Sequence, residues 1–168
     1  EFYNDFGNFD VDITVPGDYV VWATGARINP AENFSGQVLK KLKIASSSND
    51  IVHIIEEKDY VDNHVLANQN TGTWKFTAAN VTDFVFAISD HYLWDASSVL
   101  TDSGTGKRTL AGAAYNSLHE DYYDVARQAH QSVYLMSYYY PKYPFPFDYI
   151  TIFDGTDQME YPMMVNDN

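Results

Sequence analysis

The chain opens on alternation. In FDVDITV, residues 9–15, the apolar Phe9, Val11, Ile13 and Val15 are separated by Asp10, Asp12 and Thr14, the period of two that turns one face of a strand to a core. Pro16-Gly17-Asp18 supplies turn chemistry, and DYVVWATG after it reads as a second strand. The period then changes. Val38, Leu39, Leu42 and Ala45 recur at helical spacing with Lys40, Lys41 and Lys43 on other faces, which predicts a short amphipathic helix within an insertion over about 30–60. DIVHII, 50–55, fits either period, and its β-branched residues favour a strand. Alternation returns through Trp74 and Phe76, then Phe84 and Phe86, and 110–118 predicts one more strand.

A different texture follows. Between Tyr122 and Tyr139 there is no Pro or Gly, and Val125, Ala129, Val133 and Met136 repeat every three or four positions, which predicts a helix over 122–139. YPKYPFPF ends it, because Pro141 disfavours helical geometry at Tyr140. DYITIF, 148–153, then reads as a buried strand. The fold class expected is α+β, with the sharpest change of character between residues 115 and 121.

Composition narrows the function classes. With 168 residues, 45% of them hydrophobic, the chain is long enough for a sizeable core. Ten Lys and Arg against 23 Asp and Glu give a net charge of −13, which would repel nucleic acid or an anionic membrane face rather than gather it, so nucleic acid is not expected as a partner. The absence of Cys removes thiolate metal sites and disulfides. No apolar run reaches bilayer length, so no membrane span is expected. The opening EFYNDFG reads as the middle of a longer chain.

Short motifs carry less than their letters suggest. His119-Glu120-Asp121-Tyr122-Tyr123 begins like the zinc signature HExxH but has Tyr where the second His ligand belongs. HIIEE, 53–57, has Glu in the last His position of the inverted zinc pattern, and His64, His91 and His130 stand singly. SGTGKRT, 103–109, lacks the earlier Gly and the Ser or Thr of a phosphate loop and reads as a glycine-rich hairpin turn. Asn33-Phe34-Ser35 and Asn80-Val81-Thr82 match the glycosylation acceptor. Asp10 and Asp12 share a strand face, too few carboxylates for a calcium site.

Near the C-terminus, the order helix, YPKYPFPF, strand DYITIF, short loop and QMEYP resembles the start of the catalytic domain of the aminopeptidase N family of gluzincin zinc aminopeptidases. In that family the corresponding run is Gly-x-Met-Glu-Asn; here Asp157-Gln158-Met159-Glu160-Tyr161 keeps Met and Glu, with Asp for Gly and Tyr for Asn. FDVDITVPGDYVVWATG and TWKFTAANVTDFVFAISDHYLWDAS look like the closing strands of the β-rich domain that precedes catalysis, in the bacterial branch.

The resemblance implies a division. Residues 1–118 would be the C-terminal part of an N-terminal β-sandwich-like domain, and 119–168 the first helix and strands of a thermolysin-like catalytic domain. It implies a peptide substrate, a periplasmic or extracellular setting, and zinc in the intact parent protein, whose HExxH would lie beyond Asn168. This chain alone would hold no zinc ligands, no cofactor and no catalytic residue. Glu160 would accept the substrate α-ammonium, a charge-assisted contact that an internal peptide nitrogen cannot replace. Gln158, Met159 and Tyr161 would line the edge along which substrate adds as a strand.

Two further classes stay open: a non-catalytic carbohydrate- or protein-binding module built on Tyr138, Tyr139, Tyr140, Tyr143 and Tyr149, for which core and domain-interface packing is the plainer expectation, and a degenerate peptidase relative kept for protein interaction.

Overall fold

The computed structural model describes residues 5–68 and 72–168. The alternation at the start produces β1 (Gly7–Val15), in which Ile13 and Val15 are buried and Asp10, Asp12 and Thr14 exposed. β2 (Val20–Ala23) and the two-residue β3 (Ala26–Arg27) follow. After the short α1 (Pro30–Asn33), α2 (Gly36–Ala45) begins at Ser35, whose hydroxyl accepts from the Val38 N–H and so satisfies one of the helix's free donors. It buries Val38 and Ala45, and Leu39 and Leu42 pack partly on the core. β4 (Val52–Ile55) settles DIVHII as a strand. α3 (Glu57–Val61) is opened by a reciprocal capping pair between Glu56 and Asp59. Buried Asp59 also accepts from Lys41 Nζ at 2.9 Å and Gln37 Nε2 at 2.7 Å.

The second half holds the longer strands: β5 (Gly72–Val81), β6 (Phe86–Ser89), β7 (Leu93–Asp102) and β8 (Lys107–Tyr115). The SGTG of SGTGKRT forms the β7–β8 hairpin turn, where Asp102 accepts from the Gly104 N–H at 2.8 Å and the Thr105 hydroxyl at 2.7 Å. The helix expected over 122–139 is divided into a 3-10 turn, Glu120–Asp124, and α4 (Val125–Tyr138). Its inward positions are Ala126, Ala129, Val133 and Ser137. Met136, expected on that face, is instead 50% exposed, because the buried stripe turns through Ser137. β9 (Tyr149–Asp154), β10 (Met159–Tyr161) and β11 (Met164–Asp167) complete the chain.

The molecule is mixed α+β, mostly strand. Its main sheet has six strands in the order β10-β11-β9-β8-β7-β4; the others are β1-β5-β3 and β2-β6. β8 runs parallel to β9, and α4 lies between them in sequence; such a pair needs a crossover, and α4 packs on β7, β8 and β9. The sheet continues without a break across residue 118, since β8 precedes that position and its hydrogen-bonded neighbour β9 follows it. One face meets α4 through Val99, Ala111, Ala113, Tyr115 and Ile152. The other meets α2 and the smaller sheets through Trp94, Ala96, Leu110 and Phe153, packed with Trp22, Phe34, Trp74 and Phe76. Among the described residues no helix is long and apolar enough to cross a membrane.

Candidate functional site

The expected recognition residues fall on the β10–β11 hairpin at one end of the main sheet. β11 inserts parallel to β9, and β10 folds back antiparallel to it as the outermost strand, pairing Glu160 with Val165 and Tyr161 with Met164. Two local features hold the hairpin in place. Gly155 ends β9 directly against Asn166, where a Cβ would come within 1.6 Å of the amide oxygen, and its N–H donates to the Asp167 carbonyl at 2.7 Å. At the turn, Pro162 precedes Met163 with φ of 65°, a position that normally falls to Gly or Asn. Met163 is buried among Ala78, Val81, Phe9, Phe84 and Phe147, and the Thr24 hydroxyl donates to the Pro162 carbonyl at 3.0 Å. Tertiary packing thus holds a turn that local preference resists.

Gln158, Met159 and Glu160 are exposed along this edge, and Tyr161 is half-buried against the main core. Gln158 Nε2 lies 3.3 Å from Asn168 Oδ1. Tyr161 also lines a cleft of about 740 Å³ together with His91, His119, Asp154 and Asn166. Gln158, Met159 and Glu160 are outside that lining.

Two histidines of the cleft are each held by a carboxylate. Asp154, 2% exposed at the end of β9, accepts from His119 Nδ1 at 2.6 Å and from the Asn116 N–H at 2.9 Å. His91 Nδ1 lies 2.5 Å from Asp90 Oδ1 at the surface. An ionised carboxylate can only accept, so in each pair Nδ1 carries the proton and Nε2 is the basic nitrogen of the neutral ring. The Tyr92 hydroxyl donates to the Asp154 carbonyl at 2.9 Å, and the Tyr92 ring stacks on Phe153 at 5.1 Å. Tyr122 is buried with an unpartnered hydroxyl, and its pKa is raised by burial, then by Asp154. The arrangement suits binding of a group that donates a hydrogen bond, such as a hydroxyl or an ammonium.

Among the described residues no group of three or more His, Cys, Asp or Glu side chains is placed to hold a metal ion. His53 Nδ1 is bound to buried Asp95 at 2.7 Å, and His130 Nδ1 to the Ser97 hydroxyl at 2.8 Å. Asp10 and Asp12 are both exposed on β1. Asn33 is buried with Nδ2 3.1 Å from the Thr73 carbonyl, which bars a glycan in the folded chain, whereas Asn80 is exposed. Of the five tyrosines singled out, Tyr139, Tyr140 and Tyr143 lie outside the core, 62, 85 and 69% exposed, because α4 ends at Tyr138 and the proline segment runs over the surface.

Sequence reasoning missed Asp154, Asp95 and Arg27. Each takes its meaning from partners distant in sequence, and the only local sign was a charged residue inside or beside a β-branched or aromatic run. Comparison with protein-family models gives no match to this chain, and comparison with curated proteins gives none either.

Proposed function

We propose that the β10–β11 hairpin is the substrate-recognition edge of a zinc aminopeptidase of the aminopeptidase N type. In this reading residues 119–168, with α4 and β9 to β11, begin a thermolysin-like domain, and residues 1–118 close a β-sandwich-like one. The observation that carries it is Glu160 standing exposed on the outermost strand, one residue from Tyr161 at the cleft wall. An edge strand offers unpaired backbone groups to an extended peptide. A carboxylate beside it accepts charge-assisted bonds from a free α-ammonium. The described residues do not fit a zinc centre, since no cluster of three His, Cys, Asp or Glu ligands forms among them. The reading therefore assigns the zinc ligands to residues outside these 168.

Glu160→Gln in the intact parent tests it. Hydrolysis of free-amine substrates should fall by roughly ten- to a hundredfold, the worth of one charge-assisted hydrogen bond, with zinc content and fold unchanged. Turnover of an N-acetylated substrate should change little. Equal losses on both substrates would remove Glu160 from ammonium recognition.

A second reading, a carbohydrate- or protein-binding module, is favoured by the exposed Tyr139, Tyr140 and Tyr143, whose faces are open for stacking. A parent that lacks HExxH would favour that reading or a degenerate peptidase relative.

A further inference from the structure

Inside the molecule, between α2 and the main sheet, lies a cavity of about 80 Å³ whose lining includes Trp22, Trp94, Phe76, Leu42, Tyr149 and Arg27. Arg27 is delivered there by β3. The turn before it depends on Gly25, with φ of 96° and a backbone so close that a Cβ would lie 2.3 Å from the Thr77 carbonyl oxygen. The guanidinium sits 4.8 Å from the Phe34 ring centroid, 5.3 Å from Trp74, and 5.5 Å from both Phe76 and Trp94. Nη2 donates to the Val21 carbonyl at 2.8 Å, while Nε is buried without a partner. Among the described residues Arg27 makes no ion pair and the cavity lining contains no carboxylate, in a chain with 23 Asp and Glu. Burial lowers the Arg27 pKa to about 10, which leaves it cationic at neutral pH.

We propose that this cavity is a binding site for a short-chain carboxylate of acetate or propionate size. Aromatic faces attract the cation diffusely but do not give the guanidinium the in-plane acceptor that its fork geometry suits. A carboxylate supplies that acceptor and the missing charge, and a one- or two-carbon tail meets the apolar walls. Size sets the upper limit: cavities that take benzene are about 150 Å³, so an aromatic acid is too large. A phosphate or sulfate would bring more acceptors than one guanidinium and mostly apolar walls can satisfy. The exposed Tyr149 and half-buried Leu42 provide a route to solvent.

The chain's three tryptophans all lie at this place, Trp22 and Trp94 in the lining and Trp74 against Arg27, so tryptophan fluorescence reports on the cavity directly. The purified chain is titrated at constant ionic strength with propionate, propionamide and benzoate. Propionate should give a saturable change at least about tenfold tighter than propionamide, the loss expected when a charge-assisted bond becomes a neutral one. Benzoate should give none. Arg27→Met should abolish the propionate response. Leu42→Phe, which narrows the cavity and leaves Arg27 in place, should do the same and decides the matter if Arg27→Met does not fold. No saturable response to propionate, a propionamide response of equal affinity, or an unchanged response in folded Leu42→Phe would overturn the proposal.

Discussion

Toward α2 and the smaller sheets, the six-stranded sheet presents Trp94, Ala96, Leu110 and Phe153; toward α4 it presents Asp95, Ser97, Ala111, Ala113 and Asp154. The first side is filled by rings in edge and stacked contact: Trp22 meets Trp94 at 6.2 Å and Phe153 at 6.0 Å, and Phe34 meets Trp94 at 5.8 Å. The second is filled by small side chains, with polar groups joined in pairs: Asp95 with His53 and Tyr115, Ser97 with His130, Asp154 with His119. The difference separates two sources of order. Ring burial contributes free energy that does not depend on pH, whereas the paired groups contribute specificity and, at Asp95, whose pKa burial raises, make stability responsive to protons.

The largest test of that contrast is Trp22→Ala. The side chain is 1% exposed, and its removal should cost about 3–5 kcal/mol. Val133→Ala, on the α4 face, removes two methyl groups and should cost roughly 1.5–3 kcal/mol. Urea unfolding measures both. A Trp22→Ala cost no larger than that of Val133→Ala would mean that the two faces share the core equally.

Tyr115→Phe probes the other face. The Tyr115 hydroxyl donates to Asp95 at 2.8 Å. Burial raises the Asp95 pKa, and the bonds from Tyr115 and His53 only partly oppose it. The folded state therefore holds this proton more tightly than the unfolded chain. The stability that Asp95 contributes is full below its unfolded pKa, near 4, and is lost as pH rises from there through the folded value. Removing the hydroxyl takes away a bond to the charged form and raises the pKa further. The cost should be about 1–3 kcal/mol at pH 7 and smaller at pH 4. A cost independent of pH would show that Tyr115 does not act through the Asp95 charge.

The legibility of the sequence follows the same division. β1, α2 and most of α4 were readable because one side of each is apolar and the other polar, and β9 because it is a short β-branched and aromatic run after the prolines. β7 was not: LWDASSVLTD is buried on both sides, and its Asp95, Ser97 and Ser98 are polar yet internal, so no period of two survives. The strand order of the main sheet was hidden for a related reason. β4 reaches its edge from far upstream, and β11 inserts between β9 and β10, so that adjacency in space does not follow adjacency in the chain. Of the candidate site, the run 157–161 was visible as letters, whereas its place on the outermost strand and the cleft beside Tyr161 depend on that insertion. Arg27 was visible only as one basic residue in a largely acidic chain.

The β10–β11 turn allows a smaller test of how packing overrules local preference. Met163 is 7% exposed, and both Met163→Ala and Met163→Gly remove its burial among Phe9, Phe84 and Phe147. Each should lose about 2 kcal/mol or more. Alanine keeps the penalty of a positive φ and glycine escapes it, so the glycine variant should be the more stable of the two by about 1 kcal/mol. In an ordinary strand the order is the reverse, because glycine loses more backbone freedom on folding. Chemical denaturation of the pair reads the difference directly, and the ordinary order would show that the turn adjusts to relieve the strain.

The smallest expected effect on stability belongs to Glu160. It is exposed, its pairing with Val165 is through backbone, and its side chain makes no hydrogen bond or ion pair among the described residues. Glu160→Gln should therefore change unfolding free energy by no more than about 0.5 kcal/mol, the range of an unpartnered surface position. That neutrality has two explanations, and association state separates them. A carboxylate on an outermost strand can serve simply to keep the edge from pairing with another chain. If that were its whole role, Glu160→Gln and still more Glu160→Val would self-associate at micromolar concentration, as sedimentation velocity would show. If the carboxylate is there to meet an ammonium group, Glu160→Gln should match the parent chain in both stability and association. A charge that neither the fold nor the edge requires is then available for a ligand.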